Sequence, residues 1–116
     1  MNTHTPCYTL SRMVVNEHLP MDNLRLELTA DTFHLLPYHH LEFATFDSKK
    51  ERDTLTLSFL GHQVQIAGRN LRELAVAIQK RAVESIKPIQ SRYSEVAGNE
   101  SGYVESIEIH VAKERD

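Results

Sequence analysis

Apolar and polar residues alternate cleanly in the stretch LRLELT, residues 24–29. Leu24, Leu26 and Leu28 share one parity, and Arg25 and Glu27 share the other. Successive side chains of a strand point to opposite faces, so this stretch predicts a strand with one buried face. TFHLL at 32–36 predicts the next strand after a short turn; Pro37 interrupts it, because proline fits a strand interior badly. LEFATF at 41–46 resumes with Leu41 and Phe43 on one side. TLTLSFL (54–60) and QVQIA (63–67) flank Gly61 and His62 and predict a β-hairpin over 54–67. Leu55, Leu57, Phe59, Val64 and Ile66 point inward in it. The charged run DSKKERD at 47–53 predicts a solvated loop that also discourages edge pairing.

The ends are less regular. Residues 1–7 are expected to be loose. YTLSRMVV at 8–15 favours extended backbone, and NEHLPMDN at 16–23, with Pro20, reads as a loop. Residues 89–102 are read as a loop or a short helix. YVESIEIHV at 103–111 predicts a last strand, with Tyr103, Ile107, Ile109 and Val111 alternating with Ser106, Glu108 and His110.

One segment changes period. Leu71, Leu74, Ala75, Ile78, Ala82 and Ile86 recur at helical spacing, which predicts one long amphipathic helix over 70–87. Asn70 and Glu73 have the spacing of a capping box, and Pro88 stops the run. At 1.5 Å per residue such a helix spans roughly 25 Å, enough to cover the open face of a small sheet. The fold class expected is therefore α+β: a mostly antiparallel sheet or half-barrel covered by this helix, with the late strand at 103–111. The succession of strands followed by one helix over 24–87 is similar to pleckstrin-homology-like half-barrels. The resemblance rests on element order alone, the strand at 103–111 departs from it, and no function is inferred from it.

Composition narrows the class. The 116 residues fit a single domain, 1–116, and 41% hydrophobic with 25% charged residues is ordinary for a globular chain. No window reaches the apolar length of a membrane span, and the N-terminal stretch lacks the basic-then-apolar pattern of a leader. The single cysteine, Cys7, leaves no partner for an internal disulfide, and a cytoplasmic location is expected. Cys7 itself is read as a spectator thiol. The net charge of −3 argues against a strongly basic nucleic-acid binder. It is unevenly spread, since residues 69–87 carry +3 and the remainder −6.

Candidate chemistry is sparse. AGRNL at 67–71 joins a strand to the helix, but its one glycine, Gly68, does not make a phosphate loop. Neither GxGxxG nor GxxxxGK[ST] is present, so Gly68 is expected to turn a corner and Asn70 to cap the helix. Arg69 and Arg72 sit where a helix dipole disfavours cations, so they have reason to recruit a negative partner. His34, His39 and His40 surround Pro37 and His62 lies apart; no HExxH-like spacing is present, and neither metal nor cofactor is expected. No GxSxG elbow or Cys–His pairing supports nucleophilic catalysis. Phe33, Phe43 and Phe59 are expected in the core, and Phe46, of opposite parity to Phe43, on the surface.

The sequence thus predicts a small non-catalytic binding or assembly module acting through protein contacts. Strand addition at 24–29 or 103–111 would make it a homodimer. The alternative is an anion- or RNA-binding domain using Arg69, Arg72, Lys80 and Lys87 on the basic helix face, although nucleic acid is disfavoured by the net charge. A histidine-centred metalloprotein or enzyme is the third reading.

Overall fold

The computed structural model describes residues 7–89 and 102–111. The elements in chain order are β1 (Tyr8–Leu10), β2 (Met13–Val14), β3 (Glu17–His18), β4 (Asn23–Thr29), β5 (Thr32–Pro37), a 3-10 turn (Tyr38–His40), β6 (Leu41–Lys49), β7 (Arg52–Phe59), β8 (His62–Arg69), α1 (Arg72–Gln79), β9 (Val83–Ile86) and β10 (Tyr103–Val111). The expected α+β character holds: strands dominate, and the sheets are antiparallel except where β9 runs parallel to β4.

Two four-stranded sheets form, in the orders β1-β9-β4-β5 and β10-β8-β7-β6, with β2 and β3 as a separate small hairpin. Leu24 and Leu26 of β4 and Val83 and Ile86 of β9 share one core with Leu55, Leu57 and Phe59 of β7 and Val64 and Ile66 of β8. The sheets are tied at one corner by the 3-10 turn, where the Leu60 N–H bonds to His40 O at 2.8 Å. At another, Lys87 N–H bonds to Cys7 O and Ile89 N–H to Val104 O, both at 2.8 Å. Burying one leucine side chain contributes about 1.5–3 kcal/mol, so the alternation at 24–29 and 54–60 is what drives the layers together. Among the described residues no helix is long and apolar enough to cross a membrane.

The helix is the main correction. It covers Arg72–Gln79, about 12 Å, rather than 70–87. Arg81 adopts a left-handed backbone, φ 57°, and its N–H bonds to Ile78 O at 2.9 Å while Ala82 N–H bonds to Ala77 O at 2.9 Å. This pair of bonds is a Schellman stop, normally built on glycine. The chain then leaves as β9, whose Ser85 and Ile86 pair with Arg25 and Leu26. Leu71, Leu74, Ile78, Ala82 and Ile86 are all buried as the stripe predicted, but the last belongs to a strand. The helix therefore sits between strands and does not end the series of elements. It does not lie across the sheet as a long cover, since the second sheet does most of the covering.

The helix start differs too. Its N-cap is Leu71, without a side-chain cap bond, so the Asn70–Glu73 capping box is not formed. Asn70 instead takes φ 55° and makes the bend between β8 and α1. Gly68 lies within β8, where a Cβ would run into the Tyr103 carbonyl oxygen. The residue is small because the bulged part of β10, between Val104 and Ser106, comes so close, and not because it turns a corner.

The expected loop at 47–53 is mostly strand. β6 and β7 continue until Lys49 pairs with Arg52, leaving Lys50 and Glu51 as the turn, with Lys50 at φ 47°. A bulge between Leu41 and Phe43 resets the parity of β6. Ala44 and Phe46 then pair with inward Leu57 and Leu55, and Phe43 pairs with Ser58. Phe46 consequently packs against the core and Phe43 is 62% exposed, the reverse of expectation. Phe33 is also exposed, because the register sets His34 opposite inward Leu26 and leaves Phe33 opposite Glu27. Within 8–23, Val15 and Asn16, both at positive φ, turn β2 into β3 where one strand and a loop were expected. Cys7 is buried rather than loose; residues 1–6 and most of the 89–102 stretch lie outside the described residues.

Candidate functional site

Of the four predicted cations, two meet. Arg69 ends β8 and Arg72 opens α1, and the Asn70 bend between them turns both onto one groove. The opposite wall is the β6–β7 hairpin, which contributes Phe46, Ser48, Lys50, Glu51 and Asp53. The groove has a volume of about 400 Å³, in the range that takes a small molecule. Lys80, at the C-cap of α1, and Lys87, beside Cys7, are not among its lining residues.

Both arginines rest on aromatic rings. The Arg72 guanidinium carbon is 4.9 Å from the Phe46 ring centre, and that of Arg69 is 6.0 Å from Tyr103. Stacking uses the flat face of a guanidinium and leaves its edge of N–H donors directed elsewhere. It also restricts the side chain before any ligand arrives, which lowers the entropy cost of binding. Among the described residues, neither arginine nor Lys50 is in an ion pair. Neighbouring cations are matched: Arg52 with Glu105 at 2.8 Å and Lys49 with Asp47 at 3.8 Å.

Two carboxylates moderate the charge. Asp53 is buried, and its Oδ2 accepts the Leu71 N–H at 2.9 Å. It thereby satisfies one of the free donors at the start of α1 and places a negative charge where the helix dipole favours one. Glu51 is exposed at the rim. Asp53 thus takes the first of these donors, and its charge opposes a second anion at the helix amides, so the attraction in the groove comes from the cationic side chains.

The sequence pointed to Arg69 and Arg72 through their position against the helix dipole. It missed Lys50, Phe46 and Asp53, because the charged run around them reads as an open loop. The alternation of β7, carried back from Leu55 to Asp53, holds the one signal that could have marked Asp53 as inward.

The histidines do not assemble. His39 and His40 stack edge to face with ring centres 4.5 Å apart, but no group of three or more His, Cys, Asp and Glu side chains converges among the described residues. Cys7 is held away from chemistry: its sulfur accepts the Val104 N–H at 3.1 Å, and burial pushes its thiol pKa up, partly offset by that hydrogen bond and by Lys87. Of the two edges expected to add strands, 24–29 is interior, since β4 lies between β9 and β5; only 103–111 is at a sheet edge.

No family model, curated protein or solved structure matches this chain.

Proposed function

We propose that this domain is a small non-catalytic binding module whose groove takes the anionic end of a small ligand, a phosphate group in preference to a carboxylate. The observation that carries this reading is the pair Arg69 and Arg72, each laid on a ring and each opening on the same groove. Planar guanidinium edges match the oxygens of a phosphate in paired hydrogen bonds. Lys50 adds a third positive charge from the facing turn. Asp53 and Glu51 leave the lining positive by one charge, and a phosphate is favoured over a carboxylate because its oxygens are numerous enough to accept from both guanidinium edges and from Lys50 at once.

A small ligand is favoured over RNA. An RNA strand needs a track of cations along its backbone. Lys80 and Lys87 stand outside the groove, which leaves one point of attachment and not a track.

The test is a titration of the full chain with pyrophosphate at low salt, followed through the arginine Nε–Hε NMR signals. Saturable shifts confined to Arg69 and Arg72, weakening as salt is added, are expected. Arg72→Gln should abolish them. Shifts absent at millimolar ligand, or spread equally over the other arginines, would overturn the proposal.

A further inference from the structure

We propose that two copies of this chain join through the outer edge of β10, antiparallel, in the register that sets Ile109 opposite its own copy. β10 is an outer strand of its sheet. Its first residues are already engaged on the outer side, where Val104 donates to Cys7 Sγ and accepts from Ile89. From Ser106 to Val111 its strand partner among the described residues is β8 alone.

The other long edge of this sheet is the more heavily guarded of the two. β6 carries Glu42, Asp47, Lys49 and the adjoining Lys50, and β5 ends in Pro37. Charges and proline are the usual means of keeping an edge strand from pairing. Residues 106–111 of β10 contain one charged residue, Glu108, and no lysine, arginine or proline. Val111, on the same parity as inward Ile107 and Ile109, is 75% exposed.

Charge selects the register. A two-fold axis perpendicular to the sheet pairs residues that face the same side, so it passes midway between one residue and that residue's own copy. Centred on Glu108, the pairing sets two glutamates against each other. Centred on Ile107, it sets Glu108 opposite Ser106. Centred on Ile109, it sets Glu108 opposite the partner's His110 twice over, and Ile107 opposite the partner's Val111. Of these three, only this last register covers Val111 with an isoleucine and sets an imidazole, able to donate a hydrogen bond, opposite the carboxylate. Glu108 and His110 are already neighbours within one chain, 3.3 Å apart, so the pairing extends an existing contact across the axis. The two β10 sheets then continue as one eight-stranded layer.

The test is the association of the full chain, measured by sedimentation equilibrium from micromolar to several hundred micromolar. A monomer–dimer equilibrium is expected. His110→Glu sets like charges opposite each other at two symmetric places and should weaken the dimer roughly tenfold. The exchange Glu108→Lys with His110→Glu should restore it, because each position then meets its opposite again. Both side chains are exposed, so the fold survives these changes, and circular dichroism verifies it. A monomer throughout the range, a dimer indifferent to His110→Glu, or a double variant as weak as the single one would each overturn the proposal. A wild-type monomer that gains a strand only from an added peptide would also count against a second copy as the occupant.

Discussion

One carboxylate oxygen of Asp53 lies 2.9 Å from the backbone nitrogen of Leu71 and accepts its hydrogen, away from water. The bond joins the start of β7 to the entrance of α1 and holds the hairpin wall of the groove against its helix wall. Replacing the carboxylate strands the Leu71 N–H in a buried place. Asp53→Ala should therefore cost about 1–2 kcal/mol in urea unfolding. Asp53→Asn keeps an accepting oxygen and should cost clearly less. Amide exchange at Leu71 should quicken in the alanine variant. An unchanged unfolding midpoint in Asp53→Ala would mean that the helix start is held some other way.

Arg81 allows a test of where the helix ends. Its backbone is left-handed, and its side chain donates from Nε (3.1 Å) and Nη2 (2.9 Å) to Met21 O and lies over the Tyr38 ring. Arg81→Ala loses these contacts and keeps the strained backbone. Arg81→Gly loses the same contacts but relieves about 1 kcal/mol of strain. The glycine variant should therefore be the more stable of the two by about that amount. If the helix ran on through residue 81, alanine would win by a similar margin, since it is the better helix former. The order of the two unfolding midpoints decides between a stop and a continuous helix.

That same residue shows why the sequence misled at this point. A stripe at helical spacing through Ile86 is a statement about burial, and every position that it marked from Leu71 to Ile86 is buried or half-buried. It does not say which backbone carries the burial. The stop depends on a tertiary contact, Arg81 with Met21, that makes a non-glycine residue tolerable in a left-handed turn. Phe43 and Phe46 teach the same lesson in a strand: parity was read correctly, but one bulged residue at the start of β6 inverted it. Where no bulge intervenes, as from Leu55 to Phe59 and from Val64 to Ile66, inward and outward faces were legible residue by residue. Half of the groove was legible too, because Arg69 and Arg72 flank a strand–helix joint. The half from the β6–β7 hairpin was not, since its seven charged or polar residues look like a loop until pairing partners are known.

Tyr38 makes stability sensitive to alkali. Its ring is buried, its hydroxyl donates to Val83 O at 2.9 Å, and burial raises its pKa well above the ordinary phenol value, with Arg81 offsetting part of the rise. The folded state thus holds the proton more tightly than the unfolded chain, whose tyrosine titrates near about pH 10. Stability from this group is complete below that pH and is lost as pH rises towards the folded pKa. Tyr8 and Cys7 are shifted upward as well, chiefly by burial, and act in the same direction. Urea midpoints should hold steady up to about pH 8, decline gently as the unfolded chain's Cys7 ionises, and fall more steeply above about pH 10. Tyr38→Phe should start lower by about 1 kcal/mol, having left Val83 O without its donor, and then fall less steeply in the alkaline range. Absorbance of the phenolate should show one tyrosine of the wild type that ionises only as the chain unfolds. If Tyr38→Phe declined with the same slope as the wild type, the sensitivity would belong to Tyr8 and Cys7 instead.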